Sequence, residues 1–164
     1  MNLKKMTITA MFMAIGVLSA HLVYIPVGFA KCFPVQHAIN VLLAVLLGTR
    51  YTAGAAFGIS LLRNVLGTGS ILAFPGSIIG ATLAGVLYKK THSIYGAILG
   101  EVVGTGIIGS LVAYPMAKFL LASDVGAFFF VIPFLVSTLG GSTLAYVIYQ
   151  TPIRNLFHEF TNKA

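Results

Sequence analysis

The sequence predicts an all-α integral membrane protein, a compact bundle of six transmembrane helices forming a single domain over residues 1–164. Three observations carry this. Apolar residues make up 58% of the chain and charged residues 8%, with a mean hydropathy of +0.98, far from the mix of a soluble domain. A spanning helix takes about 20 mostly apolar residues, so this length accommodates roughly six spans with short connections and no separate soluble domain. The basic residues also fall on alternate connections, as a Lys and Arg excess in cytoplasmic loops requires.

The first span is expected from Leu3 to Pro26. Lys4 and Lys5 open an apolar run too long for a signal-peptide core and without a convincing small-residue cleavage site, so it reads as a retained helix. The second span, Val35 to Leu47, and the third, Thr52 to Leu66, are short and joined by Gly48-Thr49-Arg50-Tyr51. Fusing them into one broken helix gives a rival five-span arrangement. That arrangement buries Arg50 in lipid, at a cost of about 3 kcal/mol, and moves Lys89 and Lys90 outside. The fourth, fifth and sixth spans are expected at Ile71 to Tyr88, Ser93 to Leu121 and Val125 to Tyr149.

With the N-terminus inside, six spans put Lys4, Lys5, Arg50, Lys89, Lys90, Arg154 and Lys163 in the cytoplasm and only Lys31 and Lys118 outside. Both termini are then cytoplasmic. After Pro152, Ile153, Leu156, Phe157 and Phe160 recur at helical spacing opposite Arg154, Asn155, His158 and Glu159. This pattern predicts a short amphipathic cytoplasmic tail over about residues 152–162 on the membrane lipid surface.

In lipid, small residues every fourth position let helix backbones approach closely. Gly96, Gly100 and Gly104 form such a row on the fifth span, and Gly76, Gly80 and Ala84 form another on the fourth. Both are read as internal packing seams. A shorter row, Ala10 and Ala14, lies on the first span.

The net charge of +7 does not point to nucleic acid, because the basic residues are scattered singly or in pairs without interleaved aromatics. Membrane topology accounts for it. The lone Cys32 excludes an internal disulfide, has no metal-ligand spacing with any histidine, and reads as an apolar filler. No metal site, no cofactor and no enzymatic motif is expected. The chain has no His-Glu-x-x-His, no Gly-x-Ser-x-Gly, and no Walker lysine after Gly67-Thr68-Gly69-Ser70. Any ATP would be hydrolysed by partner subunits.

Ionisable residues inside a span are expensive and mark sites. Arg63 lies ~17 Å up the third helix and Glu101 ~12 Å up the fifth, and Glu101 is the only acid within a span. They form either a buried pair or separate substrate contacts. A denser set lies at the outer helix ends. Gln36, His37 and Asn40 share one face of the second helix, and Asn64 follows Arg63 ahead of the Gly67–Ser70 turn. Polar groups converging beside apolar walls are what a small-molecule pocket needs, and Phe33, Tyr114, Phe128 and Phe129 are expected to supply aromatic contact area. The bland alternative is that these are interfacial residues facing water. A membrane enzyme using His37 with Glu101 is a further reading, opposed by their different expected depths and by the lack of a third group. A ligand-free assembly subunit is the remaining one.

Phe33-Pro-Val-Gln-His-Ala-Ile-Asn-Val, the Leu47-Gly48 helix end, Leu62-Arg-Asn-Val-Leu-Gly-Thr-Gly-Ser and Leu72-Ala-Phe-Pro-Gly-Ser resemble the ThiW family. Its members are substrate-binding S components of energy-coupling factor (ECF) transporters, assigned to the thiazole precursor of thiamin. The resemblance implies a six-helix S-component bundle with cytoplasmic termini. It also implies docking through an Ala-x-x-x-Ala pattern, here Ala10 and Ala14, onto an ECF transmembrane coupling subunit that works with two ATPase subunits. The ligand it implies is hydroxyethylthiazole, captured from outside. His37, Asn40 and Asn64 would bond its hydroxyl and ring nitrogen, aromatic rings would stack on it, and Arg63 and Glu101 would be an orienting pair. About nine heavy atoms at up to about 1.5 kcal/mol each permit nanomolar affinity. Thiamin or a pyrimidine precursor are the other ligands considered; thiamin, a cation, would want Glu101 exposed.

Overall fold

A computed structural model describes residues 3–28, 30–122 and 125–151, and these form six helical rods and one small hairpin. The rods are α1 (Leu3–Leu22), α2 (Pro34–Leu46), α3 (Thr49–Val65), α4 (Ala73–Thr91), α5 (Ile94–Leu120) and α6 (Val131–Gln150). Between α1 and α2, β1 (Ile25–Val27) pairs antiparallel with β2 (Ala30–Cys32). The expected amphipathic tail over about 152–162 lies outside the described residues.

The first helix therefore stops at Leu22, not at Pro26. Val23, Tyr24, Ile25 and Val27 are β-branched or aromatic residues that favour extended backbone, and Gly28 takes the left-handed φ of 57° at the turn. An unbroken apolar run hid this boundary, since apolarity alone cannot separate a helix end from a short strand. Six separate rods, rather than five, follow from Gly48. Its φ of 80° reverses the chain between α2 and α3, a conformation glycine adopts at little cost.

By length and composition, three rods can cross a membrane: Leu3–Leu22, Ile94–Leu120 and Val131–Gln150. The expectation of six apolar spans is corrected to that extent, and the reason is position. Helix α2 has 13 residues, about 20 Å at 1.5 Å per residue, short of a hydrocarbon core about 30 Å thick. It is enclosed by α1, α3, α4, α5 and α6 and buried at nearly every residue from Pro34 to Val45, so it need not match lipid. Helices α3 and α4 carry Thr, Ser, Arg and Lys residues that lower their apolarity.

The two glycine rows meet each other. A methyl group at Gly104 would strike the backbone of Gly80, one at Gly109 that of Gly76, and one at Gly100 that of Leu83 and Ala84. So close an approach of α4 and α5 has a local accompaniment. Residues Val102–Gly109 of α5 are wound as π-helix between α-helical Ile94–Glu101 and Ser110–Leu120, a winding found disproportionately at functional sites.

At one end of the bundle the hairpin, the Gly67–Ser70 turn and the start of α6 come together. The opposite end holds the α2–α3 junction, where Thr49 packs against Gly85 of α4, close to Lys89 and Lys90. Cys32 is 1% exposed, its thiol donating to the Pro133 carbonyl oxygen at 3.2 Å, and burial pushes its pKa up. Maleimide labelling of the folded protein is therefore expected to be slow, with stoichiometric labelling only after denaturation. Rapid labelling of the native protein would show the hairpin to be undocked.

Candidate functional site

The polar residues of α2 are buried. Gln36, His37 and Asn40 are 3%, 8% and 0% exposed, so each must find partners within the protein. Gln36 uses its whole amide. Its Nε2 donates to Ser77 Oγ at 2.7 Å and Ser60 Oγ at 3.2 Å, and its Oε1 accepts from Arg63 Nη1. Arg63 also donates from Nη2 to the Thr68 carbonyl at 3.0 Å, and its guanidinium lies 3.7 Å from the centroid of the Phe33 ring, a cation–π contact.

Glu101 is fully buried and gathers three donors on one oxygen. His37 Nδ1 lies 2.7 Å from Oε1, Asn40 Nδ2 3.2 Å and Thr105 Oγ1 2.9 Å. A carboxylate oxygen only accepts, so His37 Nδ1–H is the donor in this contact. Glu101 Oε2 and Asn40 Oδ1 have no hydrogen-bond partner among the described residues. Gly80 makes room for this cluster, because a methyl group there would collide with Thr105 Oγ1 and Glu101 Oε2.

Two expectations change here. Arg63 and Glu101 do not pair: Arg63 is engaged by Gln36 and Thr68, and Glu101 is hydrogen-bonded to His37. His37 and Glu101 also do not differ in depth. Their contact at 2.7 Å puts them at one level.

A cavity of about 570 Å³ opens above this network. Among its lining residues, Gln36, His37 and Arg63 form the polar floor with Ser77 and Thr105, and Phe33 and Phe129 are joined by Tyr24, Phe130 and Phe134. Asn40 and Glu101 stand behind His37 rather than on the wall. Asn64 is off the wall too, its Nδ2 donating to the carbonyls of Ser60 at 2.8 Å and Ser70 at 3.1 Å and so closing the turn. Tyr114 packs beside the Ala113, Ala117 and Phe130 cluster, and Phe128 is 74% exposed; neither lines the cavity. Ser77, Thr105, Phe130 and Phe134 were missed. Phe130 and Phe134, one helical turn apart at the start of α6, carried a signal in that spacing.

On α1, Ala10 and Ala14 are exposed, while Gly16, Val17 and Ala20 face the bundle. His37 next to Glu101 has the form of a general base with its orienting group, yet no hydroxyl or thiol among the described residues bonds to His37 as a nucleophile would.

A family model described as thiamine-precursor transporter protein (ThiW) matches residues 6–154. No curated protein and no solved structure matches the chain.

Proposed function

From the premise that the chain belongs to the ThiW family, a family of thiamine-precursor transporters, we propose that it is the substrate-binding S component of an ECF-type uptake system and takes the thiazole precursor of thiamin, hydroxyethylthiazole, from outside the cell. The observation that carries this reading is the cavity, an aromatic-walled hollow at one end of the bundle whose polar floor is fixed by the Gln36–Arg63 and His37–Glu101 networks. Flat heteroaromatic rings stack on Phe and Tyr faces, and His37 Nε2 is left to bond a ligand hydroxyl.

Topology supports capture from outside. Lys4, Lys5, Arg50, Lys89 and Lys90 gather at the end opposite the cavity, the distribution expected of a cytoplasmic face. In this reading all six rods traverse the membrane, the short ones sheltered within the bundle, and both termini are cytoplasmic. Ala10 and Ala14 lie on an outward flank of α1, where small residues permit close helix packing, and would dock on the coupling subunit. Energy comes from two partner ATPase subunits, and the chain itself is not an enzyme.

Calorimetry on the purified protein with hydroxyethylthiazole tests the reading. His37→Ala is expected to weaken binding by at least about tenfold, the equivalent of one lost hydrogen bond of about 1.4 kcal/mol. Phe33→Ala is expected to do as much by removing a stacking face. Affinity unchanged in both variants would remove the site.

A further inference from the structure

Arg63 is a buried cation with no acid bonded to it among the described residues. It is 2% exposed, and a buried charge is tolerated only when paired and hydrogen-bonded. The whole sequence holds three acids, of which Glu101 is the one among the described residues, and its carboxylate is taken by His37. The partners of Arg63 are a neutral amide, a backbone carbonyl and a phenyl ring.

Those partners use two of its five N–H donors. The Nε–H is buried with no partner among the described residues, and the side chain lines the cavity. Among the described residues, the other ionisable groups of the lining are His21, Tyr24, Lys31 and His37, with no Asp or Glu. Lys31 is exposed on β2, its ammonium 4.9 Å from the centroid of the Tyr24 ring. The cavity's volume is in the range that holds drug-sized ligands, more than a thiazole of about nine heavy atoms fills.

We propose that the Arg63 end of this cavity is an oxyanion subsite, so that the preferred ligand is a thiazole whose side chain ends in a phosphate ester or a carboxylate. This rests on the thiazole reading above and narrows it. A planar guanidinium with unused N–H groups matches a carboxylate or phosphate, and such charge-assisted bonds are about twice as strong as neutral ones. Phe33 covers one face of the guanidinium and Gln36 fixes its orientation, so little ordering is left for the ligand to impose. Among the described lining residues, a cationic ligand would meet Arg63 and Lys31 and no acid.

The test is calorimetry on the intact purified protein with four probes: hydroxyethylthiazole, its phosphate ester, the corresponding thiazole acetic acid, and thiamin. At least one anion is expected to bind about tenfold or more tighter than the neutral alcohol, and which anion it is identifies the group. Thiamin is expected to bind weakest. In Arg63→Gln the anion-to-neutral ratio should collapse toward one, and Arg63→Lys should restore part of it. If Arg63→Gln does not fold, competition by inorganic phosphate against the tighter anion in the unmodified protein replaces it, and loss of that anion's affinity is expected. The neutral alcohol binding as tightly as both anions would overturn the subsite and leave the thiazole reading standing. Failure of every thiazole probe, charged or neutral, would overturn the thiazole reading and the subsite with it.

Discussion

Glu101→Ala is expected to destabilise the protein by about 3–5 kcal/mol, the sum of leaving buried hydrogen-bond donors unpaired at about 1–3 kcal/mol each. The loss has three parts, because Oε1 of Glu101 accepts from His37, Asn40 and Thr105 together. Without it, three donors on α2 and α5 lose their shared acceptor beneath the cavity floor. Thr105 can fall back on the Gly76 carbonyl at 3.0 Å, and Asn40 on the more distant Ser77 carbonyl at 3.5 Å. His37 has no second protein partner at Nδ1 among the described residues, so its ring should lose its orientation and ligand affinity should fall along with stability. Glu101→Gln keeps the shape and one acceptor oxygen, and should lose about half as much. Thermal unfolding in detergent measures this, with a fall in Tm on the order of 10 °C for the alanine variant. An alanine variant within about 1 kcal/mol of the unmodified protein would show that the network does not hold α2 to α5.

The same network shows how far the sequence could be read. Burial cost alone singled out Arg63 and Glu101 as important, and helical spacing put Gln36, His37 and Asn40 on one face. Which groups bond to which was not legible, because partner choice depends on the relative depth of the helices to within a few ångströms, which spacing along one helix does not give. The aromatic wall was half legible. Phe33 and Phe129 line the cavity while Phe128, the adjacent residue, points away, a distinction fixed by local turn geometry and not by composition. The packing of α4 on α5 was the most legible feature, because small-residue rows act through sterics that spacing fully describes.

That seam sets the second large effect. Gly104→Val is expected to prevent assembly of a monodisperse bundle. A methyl group at position 104 would already lie 2.6 Å from the Gly80 Cα and 2.9 Å from its nitrogen. These are backbone atoms that cannot turn aside, so α4 and α5 must move apart. Overpacking a core usually costs about 1–3 kcal/mol when side chains can shift; here the displacement also separates Thr105 from the Gly76 carbonyl and lifts Glu101 away from α2. The cost should therefore exceed about 3 kcal/mol and combine with loss of ligand binding. Gly54→Ala is the matched control. It lies within α3 with nothing within 4 Å of an added methyl group, and should leave stability unchanged or raise it by about 0.5–1 kcal/mol through helix propensity. Size-exclusion profiles and Tm in detergent distinguish the two. A Gly104→Val protein that stays monodisperse with an unchanged Tm would mean the helices do not meet along this seam, and the floor of the cavity, built on residues from α2, α3, α4 and α5, would lose the contact that positions it.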